Sequence, residues 1–341
     1  MNGPTVRDAG EFGLIEALSA VLPPSVRAGP ALRFGIGDDA AVWTPTPGES
    51  LIVTTDSLVD RIHFRLDWTD WASLGHKSLA VNLSDVAAMG GVPRLAVITL
   101  GLRGDERVGD LEDLYRGLGS LAARTRTLVA GGDVVASPDA LTIHVTVLGE
   151  TDDGRVLTRS GAKPGDVVAV SGTIGAAAAG FRLLRAGPDD PRRRAVTADL
   201  LLDAHLRPEP RLALGRVLLE HGATAAMDLS DGLLGDLPNI LAMSGVGAVI
   251  DAESMPVAAA VRALFPDDWL DLATRGGEDY ELLFTAPPES FEAIQAAADE
   301  IGSTVTAIGT IVERDEASPL RMRGLDGVAR PVAAGAFDHF G

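Results

Sequence analysis

The chain has 341 residues, with 29 Lys+Arg against 48 Asp+Glu and a formal net charge of −19. An acidic chain repels nucleic-acid phosphates, which argues against a nucleic-acid partner. The absence of cysteine excludes a disulfide framework, a cysteine-ligated metal centre and a thiol nucleophile.

With 46% apolar residues, this length suits two domains that each bury a core. The first residues lack a basic start followed by an apolar stretch, so no signal peptide is expected, and residues 1–9 are expected to be loose. No apolar run approaches the ~18 residues of a membrane span. The composition fits a cytoplasmic protein. β-Branched apolar runs predict strands at 51–54, 95–100, 127–130 and 141–148, with helices at 71–89 and 106–124 between them. The first helix has an N-cap candidate in Thr69 or Asp70 and a stop in Gly90-Gly91. A polar, turn-rich stretch then predicts a boundary near residue 152, dividing the chain into domains 1–152 and 153–341. Beyond it, strands are expected at 167–171, 223–227, 248–251, 281–285 and 304–311. Helices are expected at 176–185, 209–220, 233–243, 257–264 and 291–301. The arginine-rich stretch 187–194 reads as an exposed loop or a basic patch. Asn82-Leu83-Ser84-Asp85 is echoed by Asp228-Leu229-Ser230-Asp231, which suggests related layouts in the two halves.

Carboxylates beside glycines and at predicted element ends are the informative feature. They occur in Gly35-Ile36-Gly37-Asp38-Asp39, Thr54-Thr55-Asp56, Asn82 to Asp85, Gly131-Gly132-Asp133, Asp228 to Gly232 and Gly276-Gly277-Glu278-Asp279. Aspartates also serve turns and helix caps, and that reading stays open for each site alone. Together they suggest hard oxygen ligands for Mg²⁺, with glycine amides free to approach phosphates. No Gly-x4-Gly-Lys-Ser/Thr loop is present, since the only lysines are Lys77 and Lys163. No Gly-x-Ser-x-Gly elbow or zinc-type histidine spacing occurs. His63 admits a substrate role or a loop-packing role, and His144 reads as structural.

In their order along the chain, these motifs resemble the bacterial thiamine-monophosphate kinases. Val59 to Phe64, Lys77 to Met89, Thr158 to Asp166, His205-Leu206-Arg207-Pro208 and Phe337-Asp338-His339-Phe340 add to the match. The resemblance implies a two-domain α/β (α+β) fold of the aminoimidazole ribonucleotide synthetase type. Its N-terminal ATP- and metal-binding domain would dimerise through a sheet that forms a barrel, and an α/β domain would follow. It implies transfer of the ATP γ-phosphoryl group to thiamine monophosphate with several Mg²⁺ ions, by direct in-line transfer without a covalent nucleophile. The implied metal ligands are Asp39, Thr54, Thr55, Asp56, Asp85, Asp133, Asp228 and Asp231. The implied nucleotide contacts are Tyr115, Gly132, Asp133, Arg159 and Ser230. The implied substrate contacts are His63, Glu278 and Phe337. Other enzymes of the superfamily, and a non-catalytic metal- or nucleotide-binding protein, are the competing readings. Selenophosphate synthetase and the hydrogenase-maturation member rely on cysteine or selenocysteine, which counts against both here.

Overall fold

The computed structural model describes residues 3–151, 155–333 and 335. These residues form two units, Met1–Val86 with Val92–Gly154, and Ala87–Gly91 with Arg155–Gly341. The expected boundary residue, Asp152, lies outside the described residues. Among the described residues, no helix is long and apolar enough to cross a membrane.

The first unit runs α1 (Val6–Val21), α2 (Pro24–Arg27), β1 (Leu32–Phe34), β2 (Val42–Trp43), β3 (Leu51–Val59), α3 (Trp71–Ala88), β4 (Val92–Leu102), α4 (Val108–Thr125), β5 (Leu128–Ala136) and β6 (Thr142–Glu150). The last two residues of α3 group with the second unit. The main sheet has the order β3-β6-β4-β5, antiparallel except for the β4–β5 pair. One face carries Ile52, Leu58, Ile98, Val145 and Val147, all buried. The other leaves Leu51 49%, Val53 65% and Val135 45% exposed.

Helix α3 starts where Asp70 accepts the Ser73 amide at 2.8 Å, an N-cap bond that satisfies a free helix donor. It crosses α4 at very short range. A Cβ on Gly75 would lie 1.8 Å from the Leu114 carbonyl oxygen, and one on Gly117 would lie 1.9 Å from that of Ala72. Only glycine fits at either position, so this pair fixes how α3 lies beside α4.

Two expectations for this unit need correction. Residues 6–9 are helical rather than loose, because Thr5 and Asp8 form a reciprocal capping box at the start of α1. Strands β3 and β5 continue well past the lengths expected from their apolar runs, so Thr54-Thr55-Asp56 and Gly131-Gly132-Asp133 lie within strands rather than at their ends. The unbroken polar run Thr54-Thr55-Asp56-Ser57 and the Gly131-Gly132 pair carry no apolar strand signal, so the continuation was hidden.

The second unit contains β7 (Val167–Ser171), α5 (Ala176–Ala186), α6 (Ala198–Leu206), α7 (Leu212–Glu220), β8 (Ala225–Asp228), α8 (Leu233–Ser244), β9 (Gly247–Asp251), α9 (Ala259–Leu264), α10 (Trp269–Arg275), β10 (Leu282–Ala286), α11 (Pro288–Glu300), β11 (Val305–Val312), β12 (Leu320–Arg323) and β13 (Ala329–Pro331). Its sheet has the order β13-β12-β9-β11-β7-β10-β8, with β12 and β9 the one parallel pair of this sheet among the described residues. Alternate residues enter two cores. Val168, Val170, Met227 and Leu283 pack with Leu233, Leu237 and Ile240 of α8. Ala169, Ala226, Leu282 and Phe284 pack with Leu214 and Leu218 of α7 and Ile294 of α11. Burial on both faces explains why these strands read as continuous apolar runs.

Helices α6 and α10 were not expected from the sequence. In the arginine-rich stretch, Arg192 pairs with Asp190 at 2.7 Å and lies 4.7 Å over the Phe265 ring, so this side chain is committed to local packing. The internal echo also dissolves, since Asn82–Asp85 is mid-helix whereas Asp228–Asp231 links a strand to a helix.

The α3–α4 crossing gives a direct test. Gly75→Ala should cost about 3 kcal/mol or more in urea unfolding, because the clash is with backbone that cannot rotate away. Gly109→Ala, with nothing within 4 Å of its added Cβ, should be neutral or slightly stabilising. Equal stability for the two variants would contradict the close crossing.

Candidate functional site

In the first unit, Cα pairing across the sheet decides which predicted ligands share a face. Asp56 pairs with Val145, which pairs with Ile98, which pairs with Gly132. Val145 and Ile98 are buried beneath the helices, so Asp56 and, two residues earlier, Thr54 face the same side. The Thr54 hydroxyl donates a short hydrogen bond to Asp85 Oδ2 on α3. The next row, Ser57, His144, Thr99 and Asp133, belongs to the opposite face. There Ser57 Oγ lies 2.6 Å from His144 Nδ1, which accounts for His144 structurally. Thr55 is also on that face. Its hydroxyl donates to the Val145 carbonyl at 3.1 Å and accepts from Thr146 at 2.9 Å.

The predicted ligands of this unit therefore divide. Thr54, Asp56 and Asp85 come together, while Thr55 and Asp133 lie across the sheet. Asp39 stands exposed on the turn between β1 and β2, with its amide bonded to Asp38 Oδ1 at 2.9 Å. Among the described residues, no group of three or more His, Cys, Asp or Glu side chains forms a metal cluster.

The electrostatics of the Asp56–Asp85 pair nevertheless suit a hard cation. Burial, and then repulsion from Asp85, pushes the Asp56 carboxyl up to about 6. A dication removes both causes: it supplies opposite charge and replaces lost water with inner-sphere bonds. The donors are all oxygens, the set Mg²⁺ takes.

Gly132 is required by the strand register. A Cβ there would lie 1.8 Å from the Ile98 carbonyl oxygen, beside the β4–β5 bulge. Tyr115 is buried in α4, where desolvation raises its phenol above the ordinary tyrosine range. His63 accepts the Val59 amide on Nδ1 at 3.1 Å, so at least one ring nitrogen serves the loop after β3.

In the second unit, two segments are zipped together. The Glu278 amide donates to the Ser230 carbonyl at 2.8 Å, the Tyr280 amide to that of Leu229 at 2.9 Å, and the Leu229 amide to that of Glu281 at 2.8 Å. The bonds hold Glu278 and Tyr280 at φ 69° and 50°, a left-handed backbone that costs a non-glycine residue of order 1–2 kcal/mol. Ser230, Asp231 and Glu278 thereby belong to one patch at the end of β8, where Asp228 is the buried last residue. Arg159 is exposed and close enough to act electrostatically on Asp236. Phe337 lies outside the described residues.

Two acids here were given no role from the sequence, Asp236, which no motif included, and Asp279, which stood only as the end of the Gly276–Asp279 motif. Asp236, on the first turn of α8, accepts the Asp231 amide at 3.0 Å and is 2% exposed. Burial is the main cause that raises it to about 7. Gly232, before α8, has no side chain to cap the helix, and a first-turn aspartate after such a glycine was the available signal. Asp279 accepts the Gly175 and Ala177 amides at 2.6 and 3.0 Å, capping α5 from 104 and 102 positions along the chain. Burial raises it to about 7 against those two bonds, and no local pattern announces so distant a cap.

Residues 37–151 match the AIR synthase related protein, N-terminal domain, and residues 163–320 match its C-terminal domain. The two-unit fold and its acid groups thus belong to the AIR synthase related class. A thiamine-monophosphate kinase of Bacillus subtilis (strain 168) is 36% identical over 304 residues, 89% of this chain and 92% of that protein. The crystal structure of thiamine-monophosphate kinase from Stenotrophomonas maltophilia K279a has 38% identity and a TM-score of 0.80, covering 93% of this chain and 95% of that one. The structure described as AaThiL complexed with AMPPCP and TMP has 32% identity and a TM-score of 0.76, covering 98% of each chain. The chain belongs to the thiamine-monophosphate kinase family.

The raised Asp56 gives a signed pH prediction. The folded protein holds this proton more tightly than the unfolded chain does. Its contribution is greatest at low pH and is lost as pH rises from the ordinary value of about 4 to about 6. In metal-free buffer at pH 8, Asp56→Asn should be more stable than the parent by on the order of 1–2 kcal/mol, allowing for partial solvent screening. The gain should shrink towards pH 5 in thermal denaturation. A variant no more stable than the parent at pH 8 would show that Asp56 is not strained.

Proposed function

We propose that the chain transfers the γ-phosphoryl group of ATP to thiamine monophosphate, giving thiamine diphosphate and ADP. Family membership supports this reading. The structural observation that carries it is the Asp56–Asp85 pair, two partly desolvated carboxylates with a threonine hydroxyl and no opposing side-chain cation among the causes acting on Asp56.

Asp56 and Asp85, with Thr54, are assigned to hold Mg²⁺. Asp39, Thr55 and Asp133 are further ligands on the first unit, with Asp228 and Asp231 on the second. Bound Mg²⁺ would offset repulsion between the two anionic substrates and stabilise charge on the transferring group. Because the Thr55 hydroxyl is already used by Val145 and Thr146, Thr55 is assigned to act through its backbone.

Arg159 suits a phosphate clamp, since a guanidinium makes two parallel hydrogen bonds that an ammonium does not reproduce. Ser230, Gly132 and Asp133 are the other direct nucleotide contacts proposed, with Tyr115 in support. The Tyr115 role is confined to packing behind the site, because its ring is buried. Glu278 faces the thiamine base rather than its phosphate, which a carboxylate repels. His63 and Phe337 complete the substrate contacts proposed. The acceptor is an ionised phosphate oxygen and needs no strong general base, so the aspartates act as ligands and transfer is direct and in line.

The exposed outer face of the first sheet, with Val53, Leu51 and Val135 uncovered, is assigned to a second copy of the chain in a barrel-like homodimer. ATP as co-substrate places the work in the cytoplasm.

Mass spectrometry of a reaction containing thiamine monophosphate, ATP and Mg²⁺ should show thiamine diphosphate. Asp85→Asn should lower turnover by about 10²–10³-fold while circular dichroism stays native. Near-normal turnover in this variant would refute the metal assignment, and a stable phospho-enzyme would refute direct transfer. Separately, Val53→Arg should give a monomer in light scattering if the outer face is the dimer contact. An unchanged oligomer would remove that assignment.

A further inference from the structure

His205 is a buried histidine that the proposed chemistry has not used. It is 4% exposed, at the end of α6. Its ring lies 5.4 Å from that of Phe181 on α5. The two helices approach closely there, because a Cβ on Gly180 would stand 2.0 Å from the Leu201 carbonyl oxygen and 3.1 Å from His205 Cβ. The ring is therefore held in place by neighbours on α5. Its Nδ1 stands 3.2 Å from Glu278 Oε2, within ion-pair reach though without the angles of a hydrogen bond.

Glu278 is held from two directions. Its amide is tied to the Ser230 carbonyl at 2.8 Å, and its backbone is left-handed. That fixes where the side chain leaves the main chain, while the direction of the carboxylate is set by the groups its oxygens meet. A carboxylate that must meet one face of a flat heterocycle gains from being oriented beforehand, since ordering it during binding costs side-chain entropy. His205 is placed to supply that orientation.

We propose that His205 is a positioning residue: from its buried seat beside Phe181 it fixes the Glu278 carboxylate in the orientation that receives the base portion of thiamine monophosphate. This rests on the assignment of Glu278 as a substrate contact. His205 touches neither the nucleotide nor the transferring phosphoryl group. Its loss therefore weakens binding of the thiamine substrate and leaves ATP binding alone. The position of Nδ1 matters, so an asparagine amide, which reaches about as far as Nδ1, replaces it. A glutamine amide, which reaches as far as Nε2, does not.

Steady-state kinetics of the full chain with Mg-ATP test this through His205→Leu, His205→Asn, His205→Gln and Glu278→Ala. The proposal expects His205→Leu and His205→Gln to raise KM for thiamine monophosphate at least fivefold. KM for ATP should stay within twofold, and His205→Asn should remain near the parent. If His205→Leu does not fold, the Asn and Gln pair carries the test. Equal KM for thiamine monophosphate in that pair overturns the proposal, as does a loss confined to kcat or shared equally with ATP. If Glu278→Ala raises that KM while the histidine variants do not, positioning by His205 fails and the Glu278 assignment stands. If Glu278→Ala leaves KM unchanged, the assignment itself fails, and the His205 proposal with it.

Discussion

Two carboxylates held close together in a partly desolvated place repel each other, and the first unit is built so that they cannot move apart. Asp56 is fixed by the pairing of β3 with β6, and Asp85 by the seating of α3. The seat of α3 depends in turn on Gly75 and Gly117, where main chain meets main chain with no room for a Cβ. Thr54 ties helix to strand through Asp85. The cost of holding this charge appears in the raised Asp56 carboxyl, an unfavourable arrangement for a bare protein and a favourable one for a cation site. Stability and function thus pull against each other at one pair of side chains.

The second unit manages its acids differently. Asp236 and Asp279 are raised as well, yet each is occupied with backbone amides, one beneath the Asp228–Asp231 segment and one at the start of α5. They act as struts. Their burial lets the exposed edge of the patch, with Arg159, Ser230 and Asp231, keep a fixed shape. The left-handed backbone at Glu278 and Tyr280 is held by the same zipper of main-chain bonds. The backbone strain at Glu278 and Tyr280 and the place of these segments beside β8 both follow from one tightly tied pair of loops.

Much of this was readable from residue types alone. The buried strands around Val168 and Phe284 announced themselves as apolar runs, and Asp70 was a candidate cap of α3 from sequence. The motif acids and their family were legible because glycine, aspartate and short spacings recur in order. What escaped was long-range geometry. Nothing in Thr54-Thr55-Asp56 tells which of the three faces the helices, since that depends on pairing with β6 some 90 residues away. The same applies to Asp133, whose face is set by the β4–β5 bulge, and to Asp279, whose helix lies about a hundred residues earlier. Helices α6 and α10 do place Ala198, Leu201 and Leu202, and Trp269, Leu272 and Ala273, at helical spacing, but with 9 and 7 residues they are too short for that period to stand out.

The central claim is that the acid groups make the bare protein a poor host for an anionic nucleotide and a good one for a nucleotide accompanied by a dication. Isothermal titration of ATP into the protein, once with excess Mg²⁺ and once with the metal removed by chelation, measures this directly. The account predicts that Mg-ATP binds at least a hundredfold more tightly than metal-free ATP. Equal affinity for the two forms would contradict it.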